Sequence, residues 1–182
     1  MLAEKLLARY LAGESYEIVL EHSRYVAALA LDVCDHLAFG VDERVFVEEA
    51  SLLHDIGVSQ VHAPGIGLNG SHPYIMHGVL GREILEKEGY PVHALVCERH
   101  IGVGLTVADI ERQQLPLPRR DMCPVSLSEQ IICFADLFYS KQPGKLSERK
   151  SPERVRKKLA SFSNDKVAVF DGWMKTFGGI WI

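Results

Sequence analysis

The sequence predicts an all-α fold, on three observations. Apolar residues recur at spacings of three and four along most of the chain, which is the periodicity of one face of an α-helix. Serine, aspartate or proline stands before most of these stretches and glycine after several of them, as at the starts and ends of helices. No stretch alternates apolar and polar residues for a useful length, as a half-buried strand would. We therefore expect a bundle of helices joined by loops.

Five helices are predicted in the first part of the chain. Ser15 is the expected N-cap of the longest helix, and Asp42 is the expected cap of the helix after it. Gly57 stands just beyond the third helix as a stop signal, and Ser71 before Pro73 indicates the start of the fourth. The predicted ranges are residues 2–11, 15–37, 42–54, 71–88 and 91–101.

Two loops and further helices complete the prediction. The segment 57–71 is rich in glycine, and the segment 102–124 contains three prolines, so both are expected to be loops. Two sequence signals that begin with serine mark the starts of later helices. One is the capping box of Ser126 and Glu129, and the other is the pair of Ser151 and Pro152. The predicted helices are a short piece around 107–113 and residues 126–140, 151–162 and 165–176.

Length and composition indicate one domain. The chain has 182 residues, of which 47% are hydrophobic and 24% charged. These proportions are ordinary for a globular protein, and the length is enough to bury a full hydrophobic core. We expect a single domain over residues 1–182, with its core at about 15–140 and the C-terminal helices of 151–178 packed on that core.

Several classes of protein are disfavoured. The formal net charge of −4 argues against a dedicated nucleic-acid-binding protein. No apolar run reaches the roughly 18 residues that span a membrane, and the N-terminus lacks the apolar region of a signal peptide. The four cysteines form no CxxC pair, which is typical of reduced cysteines in the cytoplasm. We expect a cytoplasmic protein with no membrane or nucleic-acid partner.

Basic residues are concentrated towards the C-terminus. Residues 141–158 contain eight lysines and arginines against two glutamates, although the whole chain is slightly acidic. Such a segment could attract an anionic substrate. It is more often a solvated helix face with its adjoining loop, and this is the interpretation that we favour here.

Eight histidines are the most distinctive feature of the composition, because histidine is the commonest metal ligand. Four of them lie on predicted apolar helix faces, and two aspartates accompany these four. Asp136 is the most telling, since it stands among isoleucines, phenylalanines and leucine, and a buried carboxylate must be paired or coordinated. One metal centre in the middle of the bundle explains all six residues, which are His22, His54, Asp55, His77, His100 and Asp136.

Imidazole and carboxylate ligands together suit iron, manganese, cobalt, nickel or zinc. Six protein ligands exceed the usual complement of one catalytic metal, whereas two metals roughly 3.5–4 Å apart would use them all. Asp55 is the better candidate for a bridging carboxylate, because it directly follows His54 at a helix end. We therefore expect one or two divalent transition metals as cofactors.

The segment 51–57, Ser-Leu-Leu-His-Asp-Ile-Gly, resembles the signature of the HD-domain metal-dependent phosphohydrolase superfamily in its His-Asp-Ile-Gly variant. The surroundings of His22 resemble the upstream histidine of that family, and those of Asp136 its downstream aspartate. The resemblance covers about residues 15–140 and implies an all-α, HD-domain-like bundle with the metal site at its centre. It implies one metal held by His22, His54, Asp55 and Asp136. His77 and His100 fall where the dinuclear members carry two further histidines.

The predicted function is hydrolysis of a phosphoester or phosphoanhydride of a small phosphorylated substrate, with a nucleotide favoured, through a metal-bound hydroxide. Asp55 and His54 are the expected catalytic residues, with Asp55 orienting the hydroxide. Two alternatives stay open: a di-iron oxygenase of the same fold, and a non-catalytic nucleotide-binding module. The sequence predicts neither the substrate's identity nor the oligomeric state.

Contacts to the substrate's phosphate are less evident. Many members of the family carry a basic residue soon after the signature, but Val58, Ser59 and Gln60 follow it here. The phosphate must then be bound from elsewhere in the chain. The candidate contacts are Arg99 and Lys141, with Arg119 and Arg120 as further basic candidates. His62 and His72 flank the glycine-rich loop, and they are candidates for a general acid or a substrate ligand.

Overall fold

The computed structural model describes residues 2–181, together with the side chains of residues 2–179. Residues 1 and 182 of the expected domain lie outside this range. Within it the chain forms nine α-helices, which confirms the all-α prediction. They are α1 (Leu2–Tyr10), α2 (Gly13–His36), α3 (Val41–Leu53), α4 (His77–Lys87), α5 (Pro91–Arg99), α6 (Val107–Arg112), α7 (Leu127–Leu137), α8 (Pro152–Ala160) and α9 (Asn164–Phe177).

Several helix starts differ from the predicted ones. Ser15 lies inside α2 instead of capping it, and its hydroxyl donates to the carbonyl of Ala12 at 2.9 Å. Asp42 lies in the first turn of α3, where Gly40 is the N-cap and donates its N–H to the carboxylate of Glu43. The observed N-caps are therefore Ala12 and Gly40, so both predicted caps are wrong. Ser15 bonds to a backbone carbonyl from within the helix, as serine side chains commonly do.

Serine caps begin the three C-terminal helices. The hydroxyls of Ser126, Ser151 and Ser163 each accept a hydrogen bond from the backbone N–H three residues on. The box at the start of α7 is incomplete, because the carboxylate of Glu129 accepts from the N–H of Val125 and not from that of Ser126. The helix α7 also ends three residues earlier than predicted.

The glycine-rich segment is more ordered than a loop. It contains a 3₁₀ turn at Ile56–Gln60, and it then forms a hairpin of two short antiparallel strands, β1 (His62–Ala63) and β2 (Leu68–Asn69). The predicted fourth helix begins only at His77, because residues Tyr74–Met76 form a separate 3₁₀ turn.

Two glycines allow unusually close packing around α4. A Cβ atom on Gly57 would lie 2.0 Å from the carbonyl oxygen of His77, so only glycine lets this turn approach the start of α4. A Cβ atom on Gly78 would lie 2.8 Å from the carbonyl oxygen of Cys97, which brings α4 close to α5. Both close approaches place the beginning of α4 next to the segments that carry Asp55 and His100.

The hydrophobic core consists of two large clusters and a smaller one. The N-terminal part of α2 packs with α1, α3, α4 and α5, while its C-terminal part packs with α3, α7, α8 and α9. The smaller cluster lies under the segment 102–124 and includes Leu105, Ile110 and Met122. His22 lies on α2 between the stretches that belong to the two large clusters. None of the helices in the described range is long and apolar enough to span a bilayer.

Candidate metal centre

Six side chains from five helical segments meet at one buried point. One lies on α2, two at the end of α3, one at the start of α4, one directly after α5 and one in the last turn of α7. The first five are at most 5% exposed as whole residues, and the side chain of Asp136 is 19% exposed. The six are His22, His54, Asp55, His77, His100 and Asp136, and we call this cluster the metal centre.

Asp55 divides its two carboxylate oxygens between different histidines. Its Oδ2 lies 3.3 Å from the Nε2 of His22 and 2.9 Å from that of His54. Its Oδ1 lies 3.6 Å from the Nε2 atoms of both His77 and His100, which are themselves 3.0 Å apart. A carboxylate placed in this way can bridge two metal ions, one on each side.

Asp136 completes the first of these two groups. Its Oδ1 lies 3.0 Å from the Nε2 of His22 and 3.6 Å from that of His54. Ligating atoms of His22, His54 and Asp136 all lie within 4.8 Å of one another, as do those of His54, Asp55 and His100. The centre thus contains two overlapping groups of potential ligands.

The backbone orients three of the four histidines. The Nδ1 atoms of His54, His77 and His100 lie 2.6–2.7 Å from the carbonyl oxygen of the residue three positions earlier. Only a protonated Nδ1 can donate to a carbonyl, so in the neutral ring the lone pair belongs to Nε2, which points into the centre. This is the usual way in which proteins fix the tautomer of a metal-binding histidine.

Polar atoms without partners converge at the same point. Among the described residues, the buried side-chain atoms with no hydrogen-bond partner include both ring nitrogens of His22, the Nε2 of His54 and the Oδ1 of Asp55, whereas the Oδ2 of Asp55 pairs with Lys141. Buried polar atoms normally have partners, and here the unpartnered ones are the nitrogen and oxygen donors that divalent transition metals prefer. The residues present therefore fit a metal site.

The charges of the centre are strongly coupled. Burial favours the neutral acid, but His54 and Lys141 outweigh it and hold the pKa of Asp55 well below its usual value. Burial also favours the neutral acid at Asp136, but hydrogen bonds from His22 and His54 outweigh it and lower the pKa of that carboxyl. Burial opposes protonation of His54, but the two carboxylates raise its pKa to about 10. Burial and the neighbouring His100 lower the pKa of His77 to about 3.

Lys141 is the predicted substrate contact that reaches this centre. Its Nζ lies 2.5 Å from the Oδ2 of Asp55, and its side chain is largely buried. It follows the end of α7 and stands between the metal centre and the cavity described next. A cation at this place can offset negative charge on a bound anion.

A cavity of about 350 Å³ opens onto the metal centre. Its floor includes His22, His77, His100 and Asp136. The segment 102–124 forms part of its side, through residues 102–105 and through Gln113 and Leu115. A further part of the lining is formed by residues that we call the C-terminal wall, which are Lys150, Val155, Lys158, Leu159, Phe162 and Lys166.

The C-terminal wall adds to our interpretation of the basic segment: Arg154, Lys157 and Lys158 are exposed, as on a solvated face, but part of the segment also borders the cavity. Lys141, Lys150 and Lys158 line the cavity instead of belonging to a purely solvated face, and Lys166 joins them from α9. The sequence contained one signal for this: Val155, Lys158 and Leu159 follow one another at helical spacing and share one face of α8, and Phe162 follows two residues beyond the end of that helix. Charge counting could not separate this face from its neighbours, because Arg154 and Lys157 lie on the exposed surface.

Two of the lysines also hold the structure together. The Nζ of Lys150 donates to the carbonyl of Leu137 at 3.1 Å and to that of Tyr139, just beyond α7. The Nζ of Lys166 donates to the carbonyl of Gly104 at 2.6 Å and lies 2.5 Å from the carboxylate of Asp109. Lys166 therefore fastens the start of α9 to the segment 102–124.

The other predicted substrate contacts lie elsewhere. The guanidinium of Arg99 donates to the carboxylate of Glu129 at 3.1 Å, because that buried acid needs a cationic partner. Arg120 pairs with Glu98 and Arg119 with Glu111. His62 lies in β1, and the carbonyl of His72 accepts the backbone N–H of His62 at 2.8 Å. None of Arg99, Arg119, Arg120, His62 and His72 is among the residues that line the cavity in the described structure.

Known proteins resemble this chain in the region of the metal centre. The sequence profile of the HD domain matches residues 19–139. An uncharacterized protein of Methanocaldococcus jannaschii, MJ0778, is 39% identical over 125 residues, which are 66% of this chain and 65% of that protein. The tRNA (cytidine(56)-2'-O)-methyltransferase of Picrophilus torridus is 30% identical over 125 residues, 68% of this chain but only 32% of that enzyme. No solved structure matches significantly.

Proposed function

This chain belongs to the HD-domain superfamily of metal-dependent phosphohydrolases, and on that premise we propose that it hydrolyses a phosphoester or phosphoanhydride of a nucleotide. The observation that carries the proposal is the position of Asp55, whose two oxygens face separate pairs of histidines. Three of those histidines, His22, His77 and His100, line a cavity together with lysines. A phosphorylated substrate needs both features: a metal centre at the reacting group and cations around it.

The six residues of the centre would hold two divalent metals. His22, His54 and Asp136 form the ligand group on one side of Asp55, and His77 and His100 form the group on the other. When bound, such metals make water nucleophilic near neutral pH and offset charge on the phosphoryl oxygens. Because Asp55 is fully buried and ionised, it can accept a hydrogen bond from the attacking water and orient it.

The cavity lysines would bind the anionic part of the substrate. Lys141 lies closest to the centre and can reach a phosphoryl oxygen from its place beside Asp55. Lys158 extends from α8 at the edge of the cavity, where it is exposed. A fixed cation stabilises negative charge that grows in the transition state more than it stabilises the ground state, and this difference accelerates the reaction.

Metal analysis and a substrate panel test the proposal. The protein is purified anaerobically, its metals are counted, and it is then assayed with Mn²⁺, Co²⁺, Fe²⁺, Ni²⁺ or Zn²⁺ against nucleoside mono-, di- and triphosphates. Released phosphate and nucleoside products are measured together with oxygen consumption. We expect two metals per chain and metal-dependent hydrolysis that chelation abolishes and added metal restores.

Two other outcomes would contradict the proposal in different ways. Oxygen consumption by the iron-loaded protein, without release of phosphate, would instead support a di-iron oxygenase. Tight nucleotide binding with no turnover under any of the metals would support a non-catalytic binding module.

A further inference from the structure

One face of α8 is turned towards the cavity. Val155 and Leu159 are buried in the hydrophobic core beneath it, whereas the ring of Phe162 is 52% exposed at its edge. A large apolar side chain in this position has no evident role in the core. All of the C-terminal wall lies beyond residue 139, where the match to the HD domain ends. The wall therefore lies outside the part of the chain that the HD-domain profile matches.

The lining away from the metal centre is mainly apolar. The segment 102–124 contributes Val103, Leu105 and Leu115 to the lining, and Val103 also packs in one core cluster with Val155 and Leu159 of α8. Gln113 contributes an amide group to the same side. The cavity thus joins a floor of candidate metal ligands to walls on which aliphatic and aromatic side chains stand beside Lys150, Lys158 and Lys166.

This distribution restricts the group that is attached to the phosphate. A sugar with many hydroxyls would lose hydrogen bonds to water against apolar walls, and unsatisfied polar groups are costly. A planar aromatic base presents apolar faces to such walls and a polar edge that an amide can recognise. The volume of about 350 Å³ is near the lower end of the range for ligand pockets, which suits one nucleoside and not two.

The two walls are held in place before a ligand arrives. Lys166 links α9 to Gly104 and Asp109 of the segment 102–124. The guanidinium of Arg156 makes two hydrogen bonds of 2.6–2.7 Å to the carboxylate of Asp171, which joins α8 to α9. A preorganised slot loses less free energy on binding than one that must first be ordered.

We infer that Phe162 is a specificity-determining residue that stacks on the base of a nucleoside phosphate, while the phosphate lies at the metal centre. The inference rests on the proposed function and extends it, since it assigns recognition of the base to the C-terminal wall. Phe162 touches the ligand away from the reacting atoms, so it governs which substrate binds and not the chemical step.

Two probes with the same anionic group test this subsite. Methylenediphosphonate and α,β-methylene-ADP both carry a P–C–P unit that resists hydrolysis, and only the second carries adenosine. Their dissociation constants for the Mn²⁺-loaded protein are measured by isothermal titration calorimetry. We expect adenosine to tighten binding by about tenfold or more, as base stacking on an aromatic ring does.

Variants of one side chain locate the effect. Phe162→Ala is expected to remove most of the preference for the adenosine probe, and Phe162→Tyr, which keeps the ring, is expected to retain it. Val169→Ala is the matched control, because Val169 is an exposed apolar residue of α9 that does not line the cavity. Its preference should equal that of the parent protein.

The outcomes separate this inference from the proposed function. Equal affinity for the two probes, or an undiminished preference in Phe162→Ala, overturns the inference even when phosphate is released in the substrate panel. Conversely, a preference that depends on Phe162, without hydrolysis of any nucleotide, refutes the proposed function and leaves the base subsite established.

Discussion

The metal centre and the C-terminal wall face the same cavity but are constructed differently. The ligands of the centre are almost completely buried, and backbone carbonyls hold three of the four histidine rings at 2.6–2.7 Å. The wall combines the buried Val155 and Leu159 with more exposed lysines and the exposed Phe162, from α8, α9 and the residues beside α8. Two of its lysines, Lys150 and Lys166, are held by carbonyl contacts or an ion pair to neighbouring segments.

Under the proposed function, this difference separates two requirements: holding a metal and recognising a substrate. A metal site tolerates little displacement of its ligands, so it is placed on the ends of helices that the core packs rigidly. Recognition of a substrate tolerates more variation, and surface segments supply it on top of a rigid scaffold. In this chain the centre lies within the part that matches the HD domain, and the wall lies outside it.

Removal of the Asp55 carboxylate should have the largest effect. Asp55→Ala takes away a ligand shared by both groups of histidines, so we expect kcat/KM to fall by about a thousandfold and metal content to fall with it. Far-ultraviolet circular dichroism should show an unchanged helix content. The matched control is Asp42→Ala, an exposed aspartate on the same helix as His54. Full activity in Asp55→Ala would refute the assignment of the centre.

The two histidines on the Oδ1 side of Asp55 should have the next largest effect. His77→Ala and His100→Ala each remove a ligand of only one group, so each should lose one metal per chain and keep the other. Because even indirect support of a metal ligand is worth about 10–100-fold, activity should fall by about a hundredfold. His36→Ala, at an exposed position at the end of α2, should keep both metals.

Metal analysis of these variants decides between one and two metals. Plasma emission spectroscopy gives the number of metals per chain for each purified protein. A parent protein with one metal, unchanged in both His77→Ala and His100→Ala, would contradict the dinuclear arrangement.

The contact between the wall and the segment 102–124 should matter for stability. Lys166→Met leaves the buried carboxylate of Asp109 with only Arg112 and Thr106 as partners. Loss of one partner of a buried polar group costs about 1–3 kcal/mol, and we expect the free energy of unfolding in urea to fall by that amount. Lys175→Met, an exposed lysine on the same helix, is the control and should be nearly neutral.

This stabilisation should depend on pH in a defined direction. Burial alone would raise the pKa of Asp109, but Lys166 and Thr106 outweigh it and lower that pKa below its usual value. A carboxylate with a lowered pKa stabilises the folded state above its unfolded pKa of about 3.9, and the contribution is lost as the pH falls below that value. The difference between the parent protein and Lys166→Met should therefore shrink below about pH 4; a difference that grows there would contradict the pairing.

The smallest effect should come from the exposed lysine of the wall. Lys158 lines the cavity, and its neighbour Lys157 does not, so the two residues form a matched pair on one helix. We expect Lys158→Ala to raise the KM for a nucleotide about two- to fivefold at low salt, with a smaller effect at high salt, because exposed charges are screened. Lys157→Ala should leave the KM unchanged. Equal effects in both variants would indicate only the general charge of α8.

The sequence by itself determined the helical fold and the residues of the centre. Both follow from local patterns: the three- and four-residue spacing of apolar side chains, and polar residues such as Asp136 placed on an apolar face. Burial of an unpaired carboxylate is unfavourable wherever it occurs, so its presence on such a face already indicates a partner. The resemblance of the segment 51–57 to a known signature pointed to the same chemistry.

The tertiary structure alone decided how these residues combine. The division of Asp55's oxygens between two pairs of histidines depends on the angles and distances between helices, which no local spacing contains. The same holds for the wall, since Lys158 and Lys166 are ordinary helical lysines until α8 and α9 are packed against the core. For Arg99 the structure has the opposite outcome: the sequence suggested a contact to the substrate, whereas the side chain pairs with Glu129. A local pattern indicates that a buried polar side chain needs a partner. Which residue becomes that partner depends on the packing of segments that are distant in the sequence.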